Sequence, residues 1–567
     1  MADLVFRGRK EVLVLDGEAD FRALPGRDGT ALYLHGSLIG EAPESLSARA
    51  GTADLFGRFV LLAHDPRART LTVRGDRYGS VPFYRAQGAD RITLSTRITS
   101  LVQRGAAAPR LDEAALSELL ALHLTLGGRT LVEGISSFRP GTASAIDLDT
   151  LRATTAREWD PAELLRAPRM RFEEARDELV ELFLAANRAC VADAEQVAVT
   201  LSGGMDTRCL LAAVLALGRP VCAYTVSVPG SRAGRYARRI AERCAIPFHG
   251  YPLDAAFARE YLPLLERVVE LAEGMKFVPQ PEMLWLRDRV ATPAVVLHGA
   301  FGEIAKLGVL RDFRLDGEVA GADPSALPEL LWSLRFEPRF RRTLEIFAPG
   351  FRERIEGHAR AHLREAAASL EPDLGVPERL QVLYFREWVP SARYAHQIWN
   401  RRLPTRFPFI EPRFVDLLLR VRTEDRLEPR FQRHFLERIS PELSRLPDEN
   451  TGASAAASPL RVGLVRLADL ARRVLVDSPV EAGHGDRVGW LTHMEPRLED
   501  ALAEARGETI YDHARLAALA RSVGAAAARR GPWRGLAMRR ARQEADALQT
   551  FLVVEACRRW LRGLGAG

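Results

Sequence analysis

One short stretch limits the fold of this chain more than any other. Residues Val197–Leu201 form an apolar run rich in β-branched side chains, which is typical of a buried parallel strand. A glycine-rich turn, Ser202–Thr207, follows at once, and the apolar run Cys209–Leu217 then predicts a buried helix that ends at Gly218. In this context, main-chain N–H groups of the turn and the positive end of the helix dipole can bind a phosphate chain.

The side chains of the turn fit the same chemistry. Gly203 and Gly204 let the main chain approach an anion closely, and the hydroxyls of Ser202 and Thr207 can donate hydrogen bonds to it. Asp206 cannot donate to a phosphate, so it must either bind a metal ion or orient the loop. A simpler interpretation stays open, in which Ser-Gly-Gly is only a tight turn between a strand and a helix.

The turn resembles the pyrophosphate-binding loop of the adenylating ATP enzymes, which reads Ser-Gly-Gly-x-Asp-Ser. Here the last serine is replaced by Thr207, which keeps the hydroxyl. The resemblance implies ATP and Mg²⁺ as cofactors and gives Asp206 a catalytic and metal-binding role. It also implies nucleotide contacts from Leu201, Ser202, Gly203, Gly204, Asp206 and Thr207.

Length and composition restrict the class of protein. A chain of 567 residues, 47% hydrophobic and 27% charged, predicts a globular protein of two or three domains. No apolar run reaches the roughly 18 residues that cross a bilayer, and the N-terminus lacks the pattern of a signal peptide. We therefore expect a cytoplasmic protein without membrane contacts. A net charge of +6 is a weak electrostatic footprint over this length, so we expect no nucleic-acid partner.

The first 160 residues predict layered β-structure, because short apolar or alternating segments such as Arg58–His64 and Arg91–Ser95 are separated by turn residues. Gly75–Tyr84 resembles a segment of the glutamine amidotransferase domain of asparagine synthetases. Thr130–Gly141 resembles the segment that ends that domain. The resemblance implies an amidotransferase-like α+β domain over residues 1–160.

This domain lacks the residues that the resembled family uses on glutamine. The family has a nucleophilic cysteine directly after the initiator methionine, and the α-amino group of that cysteine acts as the base. Position 2 here is Ala2, the first cysteine is Cys190, and the family's Ser-Glu pair is replaced by Ser95-Thr96. We therefore expect no glutaminase activity and a structural or substrate-docking role for the domain.

Residues 165–567 alternate strands and helices, which predicts a doubly wound parallel sheet with its ligand at the carboxyl ends of the strands. Val221–Val228 is a second predicted strand and Ala294–Leu297 is a third. A helical section, from Leu327 to about Leu403, and a helical C-terminal section follow. In the resembled family, the positions of Leu201 and Val226 border the adenine.

The segment after the third strand carries a further resemblance. His298–Glu303 is similar to the synthetase segment Gly-x-Gly-Gly-Asp-Glu, in which glycines approach the nucleotide and the carboxylate binds Mg²⁺. This implies nucleotide contacts from His298 and Gly299 and a metal ligand at Glu303. Lys306 follows closely and can reach the phosphates as a point charge. The alternatives are that Glu303 only caps or pairs on the loop, and that His298 is a satisfied loop residue.

The segment that would serve the attacking amine departs from the family's sequence pattern. Arg406–Asp416 resembles the synthetase segment Glu-x-Arg-x-Pro-Phe-Leu-Asp, which implies a catalytic Arg406. However, Pro404 stands where the family has a glutamate thought to help deprotonate the attacking amine. Tyr394 is our candidate to replace it, and His396 and Glu387 lie nearby. Packing of their helix is the alternative interpretation for all three.

Together, these segments predict an α/β protein of the asparagine-synthetase type that adenylates a substrate carboxylate, releases pyrophosphate and transfers the acyl group to an amine. The first hypothesis is a specialised amide-forming ligase, similar to β-lactam synthetases and lasso-peptide cyclases, which also lack the N-terminal cysteine. The second is asparagine synthesis from aspartate and ammonia. The third is a non-catalytic ATP-binding scaffold, because Leu446–Ser454 lacks the pyrophosphate-facing lysine of the family.

The sequence does not identify the carboxylate and the amine. Small molecules and peptides both fit, and a precursor peptide is one candidate partner. The sequence also leaves the oligomeric state open.

The turn yields one direct prediction. Gly203→Val adds a branched side chain where the main chain is expected to approach phosphate, so ATP binding should be lost. Calorimetric titration with ATP measures this. An unchanged affinity in the variant would place the phosphate site elsewhere.

Overall fold

The structure is a computed structural model. It describes residues 3–15, 21–26, 29–41, 46, 51–278, 280–290, 295–307, 321–400, 402–449, 452–454, 457, 460, 463–465, 467–468, 490–491, 495–528 and 534–565. Ala2, and the residues Asn450 and Thr451 of the segment Leu446–Ser454, lie outside this part of the chain.

The N-terminal part contains two β-sheets. The first has the strand order β1 (Leu4–Arg7), β2 (Glu11–Val14), β8 (Arg91–Ser95), β7 (Tyr84–Gln87) and β9 (Ile135–Ser137). The second has the order β11 (Ala153–Arg157), β10 (Thr142–Asp147), β6 (Thr70–Gly75), β5 (Gly57–Asp65), β4 (Ala31–Leu38) and β3 (Arg22–Leu24). Neighbouring strands are antiparallel except for β2 and β8, which are parallel.

The alternation of side chains along these strands explains why the two sheets form a layered structure. Val60 and Leu62 of β5 share one apolar cluster with Val12 and Val14 of β2. Phe59, one position along β5, belongs to a second cluster on the other face. Because successive strand residues point to opposite faces, the second sheet buries apolar side chains on both sides.

The C-terminal part is built on a third sheet, in which every pair of neighbouring strands is parallel. Its strand order is β14 (Phe248–Pro252), β13 (Val221–Ser227), β12 (Val197–Thr200), β15 (Val295–Leu297) and β16 (Thr405–Arg406). The central strand β12 is buried on both faces, as its unbroken apolar sequence predicts. The predicted fold class is therefore confirmed, with layered sheets first, a parallel sheet next and helices toward the C-terminus.

Helices connect and cover the strands. In chain order they are α1 (Ile98–Gln103), α2 (Glu113–Leu122), α3 (Pro161–Arg166), α4 (Phe172–Val191), α5 (Met205–Ala216), α6 (Arg232–Arg243), α7 (Ala255–Leu271), α8 (Pro281–Arg289), α9 (Leu327–Leu331), α10 (Glu337–Leu344), α11 (Pro349–Ile355), α12 (His358–Ala368), α13 (Val376–Leu383), α14 (Val389–Ser391), α15 (Arg393–Asn400), α16 (Pro412–Arg420), α17 (Arg430–Ile439), α18 (Pro441–Arg445), α19 (Glu495–Glu504), α20 (His513–Ala528) and α21 (Arg534–Gly565). Short 3₁₀ turns span Gly302–Lys306, Pro324–Ala326, Pro408–Ile410, Glu424–Arg426 and Ala505–Gly507, and π-turns span Trp332–Phe336 and Tyr384–Trp388. In the part of the chain that the structure describes, none of these helices is long and apolar enough to cross a membrane.

The N-terminal sheets and the C-terminal part share a continuous interface. Leu116 and Leu119 of α2 belong to the same apolar cluster as Leu363 of α12. Ion pairs also cross the interface. They are Arg77 with Asp416 at 2.5 Å, Arg97 with Glu273 at 2.9 Å and Arg139 with Glu387 at 2.5 Å. The predicted limits of the two domains, 1–160 and 165–567, stay a prediction.

The pair between Arg77 and Asp416 should contribute most to this interface. The side chain of Arg77 is 1% exposed, donates to the carbonyl groups of Ala53 and Pro412 and lies over the ring of Trp159. Arg77→Met should therefore lower the free energy of unfolding by about 3 kcal/mol, because it leaves a partly buried carboxylate and carbonyl groups without their donor. Urea denaturation measures this change.

Arg354→Met is the matched control. Arg354 also joins the two parts, through Glu113 at 2.9 Å, but its side chain is 55% exposed. The control should cost less than about 1 kcal/mol, as exposed ion pairs do. Equal losses in the two variants would contradict a special role for the buried pair.

Candidate functional site

A cavity of about 510 Å³ opens at the carboxyl ends of β12, β13 and β15. This is where a parallel sheet of this type binds ligands. The sequence-predicted residues that line it are Leu201, Ser202, Gly204, Asp206, Thr207, Val226, His298, Gly299 and Lys306. Residues up to about a hundred positions apart thus meet in one place.

The loop between β12 and α5 has the form of an anion site. Oγ of Ser202 accepts a hydrogen bond from the N–H of Gly204 at 3.0 Å, and the N–H of Ser202 donates to Oγ1 of Thr207 at 3.2 Å. Helix α5 begins at Met205 after Gly204, and no side chain caps its first turn. The N–H groups of that turn are therefore available to an anionic ligand.

A buried arginine fixes this loop from behind. The side chain of Arg208 is fully buried, and its Nη atoms donate to four carbonyl groups at 2.8–3.0 Å: those of Gly203, Leu443, Leu446 and Pro447. The loop is thereby tied to the segment after α18. The N–H of Glu449 adds a bond to the same Gly203 carbonyl at 3.1 Å.

Gly203 itself does not line the cavity. A Cβ atom at this position would lie 2.7 Å from Cβ of Glu449 and 2.8 Å from Cβ of Tyr236. The expected loss of ATP binding in Gly203→Val therefore has a different physical reason. The new side chain would displace α6 and the segment that carries Glu449, instead of occupying the place of a phosphate.

Asp206, in the first turn of α5, accepts bonds from two residues that are remote in sequence. Oδ2 accepts from Nζ of Lys306 at 2.5 Å, and Oδ1 accepts from Nε2 of Gln432 at 3.0 Å. The same Nε2 donates to the carbonyl of Gly302 at 3.0 Å. A Cβ at Gly302 would lie 2.4 Å from Cγ of Asp206, so only glycine allows this approach.

Glu303 is the second carboxylate near this position. Burial raises the pKa of Glu303, and the negative charge of Asp206 raises it further, whereas Lys306 opposes the shift. Its Oε1 accepts from the hydroxyl of Tyr384 at 3.1 Å. A buried carboxylate beside a second carboxylate forms a place that a cation stabilises.

His298 lines the cavity as a neutral side chain. Burial lowers its pKa to about 4. Its Nδ1 accepts a bond from the N–H of Ala300 at 3.0 Å, so the proton of the neutral ring is assigned to Nε2. His298 can therefore donate one hydrogen bond to a ligand but cannot act as a cation near neutral pH.

The remaining wall of the cavity combines apolar side chains with polar ones, among them Thr225, Gln280 and Glu282. Leu201 and Val226 line it, as the resemblance implied for an adenine ring, together with Met283, Leu286 and Trp399. An apolar wall at one end and hydroxyls, N–H groups and Lys306 at the other suit a ligand with a flat base and a phosphate chain.

The structure does not bring Arg406 and Tyr394 to this cavity. The guanidinium of Arg406 pairs with Asp193 at 2.5 Å and donates to the carbonyl of Cys190, at the end of α4. Tyr394 is 3% exposed and accepts from Nη2 of Arg393 at 3.0 Å, beside Ser137 of the N-terminal part. Because their polar atoms are engaged elsewhere, we assign neither residue a catalytic step.

Glu387 and His396, the other two candidates for deprotonating the amine, also make their contacts inside the protein. Glu387 accepts from Arg139 at 2.5 Å and from the N–H of Gly127 at 3.1 Å. The ring of His396 stacks on Phe407, with 4.0 Å between ring centroids. Burial, followed by the positive charge of Arg58, lowers the pKa of His396 well below its usual value.

Several residues of the site could not be predicted from the sequence. Gln432 and Tyr384 contact the two carboxylates but belong to helical segments with no motif that marks them. Arg208 directly follows the glycine-rich turn, and its role depends on a segment more than two hundred positions away. The segment Leu446–Ser454 lacks the lysine of the family, and its Glu449 lines the cavity with a carboxylate.

Gln432 should be needed for nucleotide binding. Gln432→Met keeps the volume of the side chain but removes the donor to Asp206, so the carboxylate is no longer held in place. Affinity for ATP in the presence of Mg²⁺ should fall about tenfold or more, since a hydrogen bond to a charged group contributes about 1.5–3 kcal/mol. Calorimetric titration measures this.

Asn187→Leu is the control for the loss of a buried amide. Asn187 is fully buried in α4, and its Nδ2 donates to the carbonyl of Phe183. ATP affinity in this control should stay within about twofold of the wild type. If Gln432→Met also stayed within that range, the proposed support of Asp206 would be wrong.

Comparison with known families agrees with this arrangement. Residues 46–159 match the family model described as glutamine amidotransferase domain, and residues 178–541 match the one described as asparagine synthase. No match is found among curated proteins. The second region contains the cavity at the carboxyl ends of β12, β13 and β15 and covers more than half of the chain. The protein therefore belongs to the asparagine synthase family, with an amidotransferase-like N-terminal region.

Proposed function

We propose that this ATP-dependent ligase of the asparagine-synthetase type forms an amide between a substrate carboxylate and an amine through an acyl-adenylate. AMP and pyrophosphate are the other products. The proposal includes that the protein does not hydrolyse glutamine.

The observation that carries the proposal is the geometry of the phosphate end of the cavity. Free N–H groups at the start of α5, the hydroxyls of Ser202 and Thr207 and the ammonium group of Lys306 converge there. These groups complement charge that develops on a departing pyrophosphate. The tight-turn interpretation accounts for the glycines but not for the convergence of Lys306 and two carboxylates.

Asp206 and Glu303 fit a magnesium ion. Mg²⁺ is usually bound in such sites by one or two carboxylates together with substrate phosphates. The raised pKa of Glu303, caused by burial and by the charge of Asp206, supports this assignment. When bound, the ion supplies charge neutralisation for the phosphate chain.

The chain's own residues have separable tasks in the reaction. The hydroxyls of Ser202 and Thr207 and the N–H groups of the first turn of α5 hold the β- and γ-phosphates, and Lys306 neutralises part of their charge. An oxygen of the substrate carboxylate attacks the α-phosphorus, and the bond from that phosphorus to the pyrophosphate oxygen breaks. The amine then attacks the acyl carbon, AMP leaves, and one proton of the amine passes to solvent or to a base that we do not assign.

The absence of glutamine chemistry is supported by the cysteines. The chain has no cysteine before Cys190. Cys190 lies in α4, is fully buried, and burial raises its pKa far above the usual value for a thiol. A buried neutral thiol outside the amidotransferase-like region cannot serve as the nucleophile that glutamine hydrolysis requires.

Pyrophosphate release tests the proposal. The full chain is incubated with ATP, Mg²⁺ and sets of carboxylates and amines, including aspartate with ammonia and peptides that contain both groups. Asp206→Asn should lower the rate at least about a hundredfold, because it removes a charge at the phosphate end. Asp193→Asn, which removes a carboxylate outside the cavity, should stay within about twofold.

Mass spectrometry of the products separates the hypotheses. Loss of one water within a single substrate molecule indicates a cyclising ligase, whereas conversion of aspartate with ammonia indicates asparagine synthesis. ATP binding without pyrophosphate release for any substrate pair would favour the scaffold hypothesis. Release of glutamate from glutamine would contradict the proposed loss of glutaminase activity.

A further inference from the structure

A second cleft, of about 450 Å³, lies between the N-terminal sheets and the C-terminal part. The N-terminal side contributes His35, Gly36 and Ser37 of β4, Arg58 of β5, Val81, Pro82, Thr96 and Arg97. The C-terminal side contributes Leu271, Gln397 and Pro404. The nucleotide cavity has none of these residues in its wall, so the two spaces are distinct.

The side chains that carry a formal charge in the described wall of this cleft are all positive. Arg58 and Arg97 line it, and no carboxylate is among the described residues of its wall. Arg97 is paired with the fully buried carboxylate of Glu273 at 2.9 Å. Within the described residues, Arg58 has no ion pair of this kind.

The surroundings of Arg58 leave its charge largely uncompensated. Its Nη2 donates to the carbonyl of Ser80 at 3.1 Å, and its Nε is buried without a hydrogen-bond acceptor. Asp76 attracts it, but the carboxylate of Asp76 is already used by the N–H groups of Phe59, Tyr78 and Ser80. Burial accordingly lowers the pKa of Arg58 to about 10, against the attraction of Asp76.

An arginine in such a position is unfavourable unless a counter-charge reaches it, because burial removes the water that would solvate the guanidinium. The planar guanidinium is also the side chain best suited to hold a carboxylate or phosphate group through two hydrogen bonds. A small anion in the cleft would supply the missing charge.

We propose that this cleft binds a small organic anion, with Arg58 as the main contact for its carboxylate or phosphate group. The site does not depend on the proposed ligase activity. Gln397 adds a second buried polar atom without a partner, its Oε1, so the wall can also accept a bond from a donor group on the ligand. Helix α15 carries both Gln397 and Trp399 and therefore links this cleft to the nucleotide cavity.

Titration of the full chain with simple anions, in the absence of ATP, tests the proposal. Acetate, succinate, citrate, inorganic phosphate and glycerol phosphate are compared by calorimetry and thermal unfolding at constant ionic strength in chloride. At least one should bind saturably with a Kd of about 1 mM or tighter. Binding by the carboxylates identifies a carboxylate ligand, and binding by the phosphates alone identifies a phosphate ester.

Arg58→Met should weaken this binding at least tenfold, and its melting temperature without ligand should equal or exceed that of the wild type. Arg85→Met is the matched control, because Arg85 is a half-buried strand arginine with a hydrogen bond to Ser136 and lies outside the cleft. The control should bind the anion as the wild type does.

Ser37→Asp provides a second variant if Arg58→Met does not fold. Ser37 is exposed on the wall of the cleft, and a carboxylate there would compete with the ligand for Arg58. Binding should again fall at least tenfold. Failure of every anion to saturate, or equal binding by the wild type and the variants, would overturn the proposal. Neither result depends on whether pyrophosphate is released.

Discussion

The hydrogen bonds of the buried Arg208 guanidinium set the shape of the nucleotide site. An arginine without contact to water must satisfy its donors internally, and the two Nη atoms of Arg208 do so on carbonyl groups of the glycine-rich loop, of α18 and of the segment after it. The loop can therefore present its N–H groups to the cavity only while that segment is in place. This dependence explains why Gly203, which faces the segment, tolerates no side chain although it does not touch the cavity.

Charge at the phosphate end is balanced between a few groups. Asp206, Glu303 and Glu449 supply negative charge, and Lys306 supplies positive charge. Lys306 pairs with Asp206, so the proposed binding of a metal and a phosphate chain would require an exchange of partners. Gln432 is neutral and donates to Asp206, which is why we expect its loss to weaken nucleotide binding without changing the net charge.

The N-terminal part is held firmly against the C-terminal part, which contains the proposed nucleotide site. Buried ion pairs and a continuous apolar cluster fix their relative position. The cleft that contains Arg58 lies along this interface. Helix α15 forms part of the wall of both spaces, so the N-terminal part adjoins the same helix that lines the first cavity.

The sequence by itself determined the local features: the strand β12, the glycine-rich loop, the parallel sheet around it and the lack of a cysteine before Cys190. These follow from patterns within a few neighbouring residues, where periodicity and glycine content decide the geometry. Only the tertiary structure decided which distant side chains serve the site. It placed Gln432 and Tyr384 against the two carboxylates and directed Arg406 and Tyr394 toward other partners. The physical reason is that bonds such as those from Gln432 to Asp206 and from Tyr384 to Glu303 join residues 226 and 81 positions apart. Such bonds depend on how helices pack, and no local pattern encodes that packing.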